Sequence, residues 1–174
     1  DELDLTENNR LVVTPARQKS KILSDKAKCD DGQCDETVSV TAIELPDGKI
    51  LTGKSTSLMS APAAAILNAI KHLANLPDAM HLLSPLVLKP ILDLKREILA
   101  QAEPSLNLEE VIFALSICGA TNPAAHYSIE KLSILRDCQV HSTTLLQPSD
   151  EKMFRKLGIQ YTCDPNFPST QLFY

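Results

Sequence analysis

From Asp1 to about Glu36 the chain is polar, with DELDLTENNR and CDDGQCDE on either side of the short basic segment PARQKSKILSDKAK. This pattern predicts an arm. β-rich sequence begins at Val38, where VSVTAIEL is followed by the turn residues Pro46-Asp47-Gly48 and by Lys49 to Thr52 in extended style. Pro46 pre-sets a turn and Gly48 accepts a positive φ, so the segment is predicted to be a β-hairpin.

Helical spacing takes over next. Met59, Ala63, Ile66, Leu67, Ile70, Leu73 and Ala74 define one core-facing stripe, with Ser57 or Ser60 as its cap and Pro62 tolerable only in the first turn. MHLLS, Met80 to Ser84, reads as a short buried strand, and Ser84-Pro85 opens a second helical region that Pro90 must kink or restart. Asn107 and Glu110 are spaced as a capping box ahead of the stripe Leu108, Val111, Ile112 and Leu115, and Gly119 ends that helix. Asn122-Pro123 caps and starts a fourth helix carrying Ala125, Ile129 and Leu132. CQVHSTTLL, Cys138 to Leu146, is the longest strand candidate, and its mixed faces predict a central position covered on both sides. Pro148 to Glu151 opens a last helix with acidic residues suited to its dipole, and Gly158 closes it before IQYTC. The expected class is α/β, a layered mixed sheet with an N-terminal β-hairpin and about five helices. The expected division is an arm at 1–36, an α/β domain at 37–165 and a tail at 166–174.

Read in order, TGKSTSLMSAPAAAILNAIKHLANLP, HLLSP, ALSICGATNPAA, CQVHSTTLL and DEKMFRKLGIQYTCDP resemble the C-terminal region of a bacterial family known as domain of unknown function eighteen forty-six. The likeness runs from about Leu11 to Pro165, and Pro62, Gly119 and His126 depart from the residues expected at their positions. Members of that family are much longer chains, so the resemblance implies a C-terminal portion preceded by further sequence. It implies no activity.

Composition narrows the function classes. The 174 residues are 44% hydrophobic and 22% charged, values of an ordinary folded domain. A net charge of -5 argues against general nucleic-acid binding, which needs clustered Lys and Arg. The apolar stretch around Ala61 to Ile70 is broken by Asn68, Lys71 and His72, too soon for a membrane span. No signal peptide is visible after Asp1, and the five cysteines are odd in number and irregularly spaced. A reducing, cytoplasmic setting is therefore expected.

Gly48 to Ser55 satisfies the phosphate-loop pattern G-x-x-x-x-G-K-[ST]. A strand that returns from a hairpin turn cannot also wrap its N–H groups around a phosphate, so the hairpin reading is preferred. A weaker version survives, in which Gly53, Lys54, Ser55 and Thr56 lie just before a helix and hold a carboxylate or phosphate; helix capping alone is the rival. Thr121 and Asn122 stand between two helices and either line a pocket or merely cap. His141, with Ser142, Thr143 and Thr144, is the acid/base candidate on the central strand, against the alternative of a hydrogen-bonded core histidine.

Cys29 and Cys34 lack a second ligand pair for zinc, and Asp30, Asp31, Asp35 and Glu36 lack calcium-loop spacing. Cys118, Cys138 and Cys163 read as small core residues, and His72 and His81 as surface residues. The expected ligand-binding set is thus Lys54, Ser55, Thr56, Thr121, Asn122 and Ser142, with His141 catalytic, no metal and no cofactor indicated. Lys54, Asn122 and His141 are expected to border one cleft holding a small anionic metabolite. The rival is a non-catalytic module that joins a homo-oligomer or the N-terminal portion of a longer chain, docking through the tail from Phe167 to Tyr174.

Overall fold

The hairpin forms as its turn chemistry requires. In the computed structural model, which describes residues 9–31, 38–101 and 104–167, strands β1 (Val40–Glu44) and β2 (Ile50–Lys54) pair antiparallel, with Val40 opposite Lys54 and Glu44 opposite Ile50. Gly48 adopts φ 82° at the turn, and its N–H donates to the Leu45 carbonyl at 2.8 Å. Every residue from Ile50 to Lys54 is in ladder register with β1, so no phosphate cradle forms there.

β1 also pairs antiparallel with β3 (Gln139–Ser142), and β3 pairs parallel with β4 (Gln160–Cys163). The mixed sheet has the order β2-β1-β3-β4. β3 is interior, as predicted, although regular pairing stops at Ser142 rather than running to Leu146. The helices are α1 (Val13–Asp31), α2 (Ala61–Leu73), α3 (Pro85–Asp93) with a π-turn over Leu94–Ile98, α4 (Leu108–Gly119), α5 (Pro123–Glu130) and α6 (Pro148–Leu157). Caps fall where the sequence puts them: Ser60, Ser84, Asn107 in a full capping box, and Asn122, each accepting from a backbone N–H.

One sheet face, with Ile43 and Val140, joins the main core of Ile66, Ile70, Leu115, Leu135 and Phe154. α2 crosses this face against Gly53, where any side chain would meet α2 main-chain atoms. The other face is covered by α1 through a small cluster of Val12, Ala16 and Ala42.

Two expectations need correction. The polar N-terminal segment, expected to be an arm, is helical over Val13–Asp31 and packs on the sheet, and the hairpin that opens the sheet follows that helix. Its contacts to the sheet are mostly polar, so no apolar stripe announced it. Met80 to Ser84 is not a strand: Leu82 and Leu83 are buried in an irregular segment whose Ser84 already caps α3. A short apolar run signals burial, not pairing.

Candidate ligand cleft

His141 sits on β3 directly opposite Thr162 of β4, so both side chains emerge on the α1 face. Asp164, two residues beyond Thr162, shares that face, and its backbone N–H donates to the Ser142 carbonyl at 2.9 Å. The parallel register therefore brings Thr162, His141 and Asp164 into one polar row. His141 Nδ1 lies 2.9 Å from Thr162 Oγ1, while Nε2 lies 3.4 Å from Asp164 Oδ2, out of line for a hydrogen bond.

α1 supplies the cations. Arg17 grips Asp164 with two parallel bonds, Nη2 to Oδ1 at 2.6 Å and Nε to Oδ2 at 3.0 Å. Arg10, just before α1, donates to Gln139 Oε1 at 2.6 Å, Thr162 Oγ1 at 2.7 Å and the Gln160 carbonyl at 3.0 Å. Near the other end of the contact, Ser20 donates to the Val38 carbonyl and Ser24 accepts the Val38 N–H. α1 thus runs from the N-terminal ends of β3 and β4 toward their C-terminal ends.

These contacts set the charges. Burial, the largest influence, holds the His141 imidazole below its ordinary pKa; the Asp164 charge opposes this, and Arg17 and Arg10 reinforce it. The Arg17 bonds keep the Asp164 carboxyl below the usual carboxylate range, helped by His141 and opposed by burial. Thr162 Oγ1, which already accepts from Arg10, is placed to donate its hydroxyl proton to His141 Nδ1, while Nε2 faces the Asp164 carboxylate without a hydrogen bond.

Beside this row, Arg17, Ser20, Lys21, Ser24, Asp25, Thr143, Asp164, Pro165 and Asn166 line an open cleft of about 530 Å³. It lies between the second half of α1 and the C-terminal ends of the parallel strand pair, where open α/β sheets hold ligands. Lys21 has no ionic partner among the described residues. His141 is only 3% exposed, so it can reach a ligand only through Asp164 or Thr162.

The residues expected from sequence divide. Lys54 is exposed on the same face and at the same sheet end as Thr143, two strands away, roughly 10 Å between main chains. Ser55 follows it, donating its N–H to the Ser39 carbonyl. The Thr56 hydroxyl is used locally, accepting the Leu58 and Met59 N–H groups. Ser142 points to the opposite face, where its hydroxyl and that of Thr41 are buried without a hydrogen-bond partner. Asn122 caps α5 through the Ala124 and Ala125 N–H groups, and Thr121 is exposed beside it, in the helical layer across the sheet from α1. One cleft shared by Lys54, Asn122 and His141 does not form.

Arg17, Lys21, Thr162 and Asp164 were missed. Their only sequence signal was the Asp-Pro pair at the end of the last strand, since strand register is not written locally. Among the described residues no group of three or more His, Cys, Asp or Glu could hold a metal, and no helix is long and apolar enough to cross a membrane. Cys118, Cys138 and Cys163 are free thiols, the first two buried. The Cys34 side chain, the Cys29 side chain and residues 168–174 of the tail lie outside the described residues.

Comparison with known proteins places this architecture. The chain is 52% identical over 174 residues to a UPF0371 protein of Clostridioides difficile, covering 100% of this chain and 34% of that relative. It is 49% identical over 173 residues to a UPF0371 protein of Clostridium tetani, covering 99% of this chain and again 34% of the relative. The chain therefore spans about one third of the length of the curated relatives it matches. The family model described as domain of unknown function DUF1846, C-terminal, matches residues 8–173, and the chain belongs to that family.

Proposed function

We propose that this domain is the ligand-holding part of a longer bacterial enzyme, and that a small anionic metabolite binds between α1 and the C-terminal ends of β3 and β4. The observation that carries this reading is Lys21, a cation in the cleft wall with no ionic partner among the described residues. Ser20, Ser24 and Asn166 add polar groups, and Lys54 adds positive charge along the same sheet end. Arg17 is already engaged by Asp164, so the ligand's charge falls to Lys21 first.

His141 acts as a positioning residue in this reading. It stands behind Asp164, too buried to touch a ligand, and helps hold the carboxylate that lines the cleft. Thermal denaturation with inorganic phosphate and with malonate tests the binding step, because a ligand specific to the folded state raises stability by mass action. Wild-type protein should gain melting temperature with at least one of these anions, and Lys21→Ala should lose most of that gain. No gain with either anion, or an unchanged gain in Lys21→Ala, refutes the reading.

A further inference from the structure

We propose that the outward face of α3 and α4 is the docking surface for the portion of the longer family chain that precedes this domain. This inference is independent of the cleft. α3 and its π-turn run antiparallel beside α4: the Ser84 N–H meets Cys118 Sγ at 3.3 Å at one end, and Lys95 Nζ meets Glu110 Oε2 at 2.6 Å at the other. The inner sides of the pair bury Leu88, Val111, Ala114 and Leu115.

The outer sides are also apolar. Leu86 is 86% exposed, Ile98 74%, Phe113 62%, Ile117 57% and Leu94 46%. One exposed leucine means nothing, but five large apolar side chains on two neighbouring helices make a patch of the kind that marks an interface. Phe113 and Ile117 are four apart on α4, hence stacked on one side. On the partner helix, Leu86, Pro90, Leu94 and Ile98 recur every four residues. A regular α-turn would carry Ile98 about 40° round from Leu94. The π-turn, closed by the Leu99 N–H on the Leu94 carbonyl, takes more residues per turn and so carries Ile98 back against that drift, toward the line of Leu86 and Pro90. π-turns are rare and occur frequently at functional sites. Lys95 anchors this one from beneath, buried and bonded to both Ser105 and Glu110.

The occupant follows from chain length. Relatives devote only 34% of their length to the region matched here, and the matching family model is the C-terminal one, so roughly twice as much chain precedes it. A tethered domain meets this face at an effective concentration of about millimolar, far above what a second copy reaches by collision. The two helices offer a face about 20 Å long, suited to an inter-domain contact of roughly 600–1,500 Å².

Hydroxyl-radical footprinting of the full-length protein tests this, using the labelling rate of Phe113 relative to the same chain in denaturant. Covered to the level of an interface core, Phe113 should be labelled about sixfold more slowly than its 62% exposure implies, and equally so at every protein concentration. A rate matching that exposure overturns the proposal. Protection that fades on dilution also overturns it, because it assigns the face to a second copy.

Discussion

Replacing Gly53 with Ala separates packing from phosphate binding at the G-x-x-x-x-G-K-[ST] match. A Cβ built there lies 2.1 Å from Ala65 N, 2.6 Å from Ala64 C and 2.7 Å from Ala65 Cα. All three are main-chain atoms of α2, so no side-chain tip can swing aside. α2 would have to retreat by about an ångström to restore ordinary contact, loosening Ala63, Ile66, Ala69 and Ile70, all essentially buried. Overpacking a core costs about 1–3 kcal/mol and sometimes more, and a clash with main chain on both sides belongs at the upper end, about 3 kcal/mol. In a chain of this size that lowers the melting temperature by roughly 6–12 °C.

Gly48→Ala provides the contrast. Its Cβ would meet nothing within 4 Å, so only the φ of 82° is penalised, by about 1–2 kcal/mol. Urea unfolding of both variants, with ATP and Mg²⁺ present or absent, checks the ranking. The packing argument requires Gly53→Ala to be the more damaging and nucleotide to change nothing. It fails if Gly53→Ala stays within about 0.5 kcal/mol of wild type, a normal spread for a harmless substitution, or if ATP stabilises wild type and not the variants.

Further outcomes follow from the buried ionisable groups. Because His141 is held below its ordinary pKa, the unfolded chain binds a proton that the folded chain refuses, so stability is lost as pH falls below about 6.5. His141→Gln should flatten that limb of the melting-temperature profile, and an unchanged slope would contradict the assignment. Asp164, depressed by Arg17, contributes stability above the ordinary aspartate pKa of about 3.9 that is lost as pH falls through its lower folded value. Arg17→Ala should therefore move acid unfolding to higher pH. Asp150 is the opposite case: burial raises its pKa, so its charge costs stability as pH rises from the ordinary value through the folded one. It also accepts the Leu108 N–H at 2.8 Å. Asp150→Asn should remove this contribution to the pH dependence while keeping an acceptor, whereas Asp150→Ala should lose about 1–3 kcal/mol by leaving that N–H unpaired, both read by chemical denaturation over a pH series starting at about 4.

What was legible in the sequence is what is decided locally. The hairpin turn at Pro46-Asp47-Gly48, the caps at Ser60, Asn107 and Asn122, and the closing Gly158 all depend on residues within one turn of each other, and all formed. The family resemblance was likewise carried by ordered local motifs. The cleft was not legible, because it depends on the parallel register that sets His141 opposite Thr162 and on where α1 lies. α1 itself was hidden by its chemistry: it docks with arginines and serines, and a search for apolar periodicity passes over such a helix. His141 stands out in the sequence among its hydroxyl neighbours, but its burial behind Asp164 depends on the strand register and is not readable there.

The two faces of the sheet are held by different forces, and the difference bears on how the cleft works. On the α2 face a continuous apolar core includes Ile43, Val140, Phe154 and Leu115. On the α1 face the apolar contact is a small cluster of Val12, Ala16 and Ala42, with Ile50 partly buried against it, and α1 is further held by hydrogen bonds of Arg10, Arg17, Ser20 and Ser24. The Arg17 side chain is 42% exposed, so its pair with Asp164 is weakened by solvent and salt. Detaching α1 therefore costs less than opening the core. Lys21 and Ser24 belong to α1, whereas Thr143 and Asn166 belong to the strand ends, so the cleft exists only while α1 is docked. A ligand spanning it binds the docked state alone, and its apparent affinity is reduced by whatever fraction of α1 is detached. Binding and docking are then one equilibrium, and salt that loosens α1 weakens the ligand even where no ion pair to the ligand is broken.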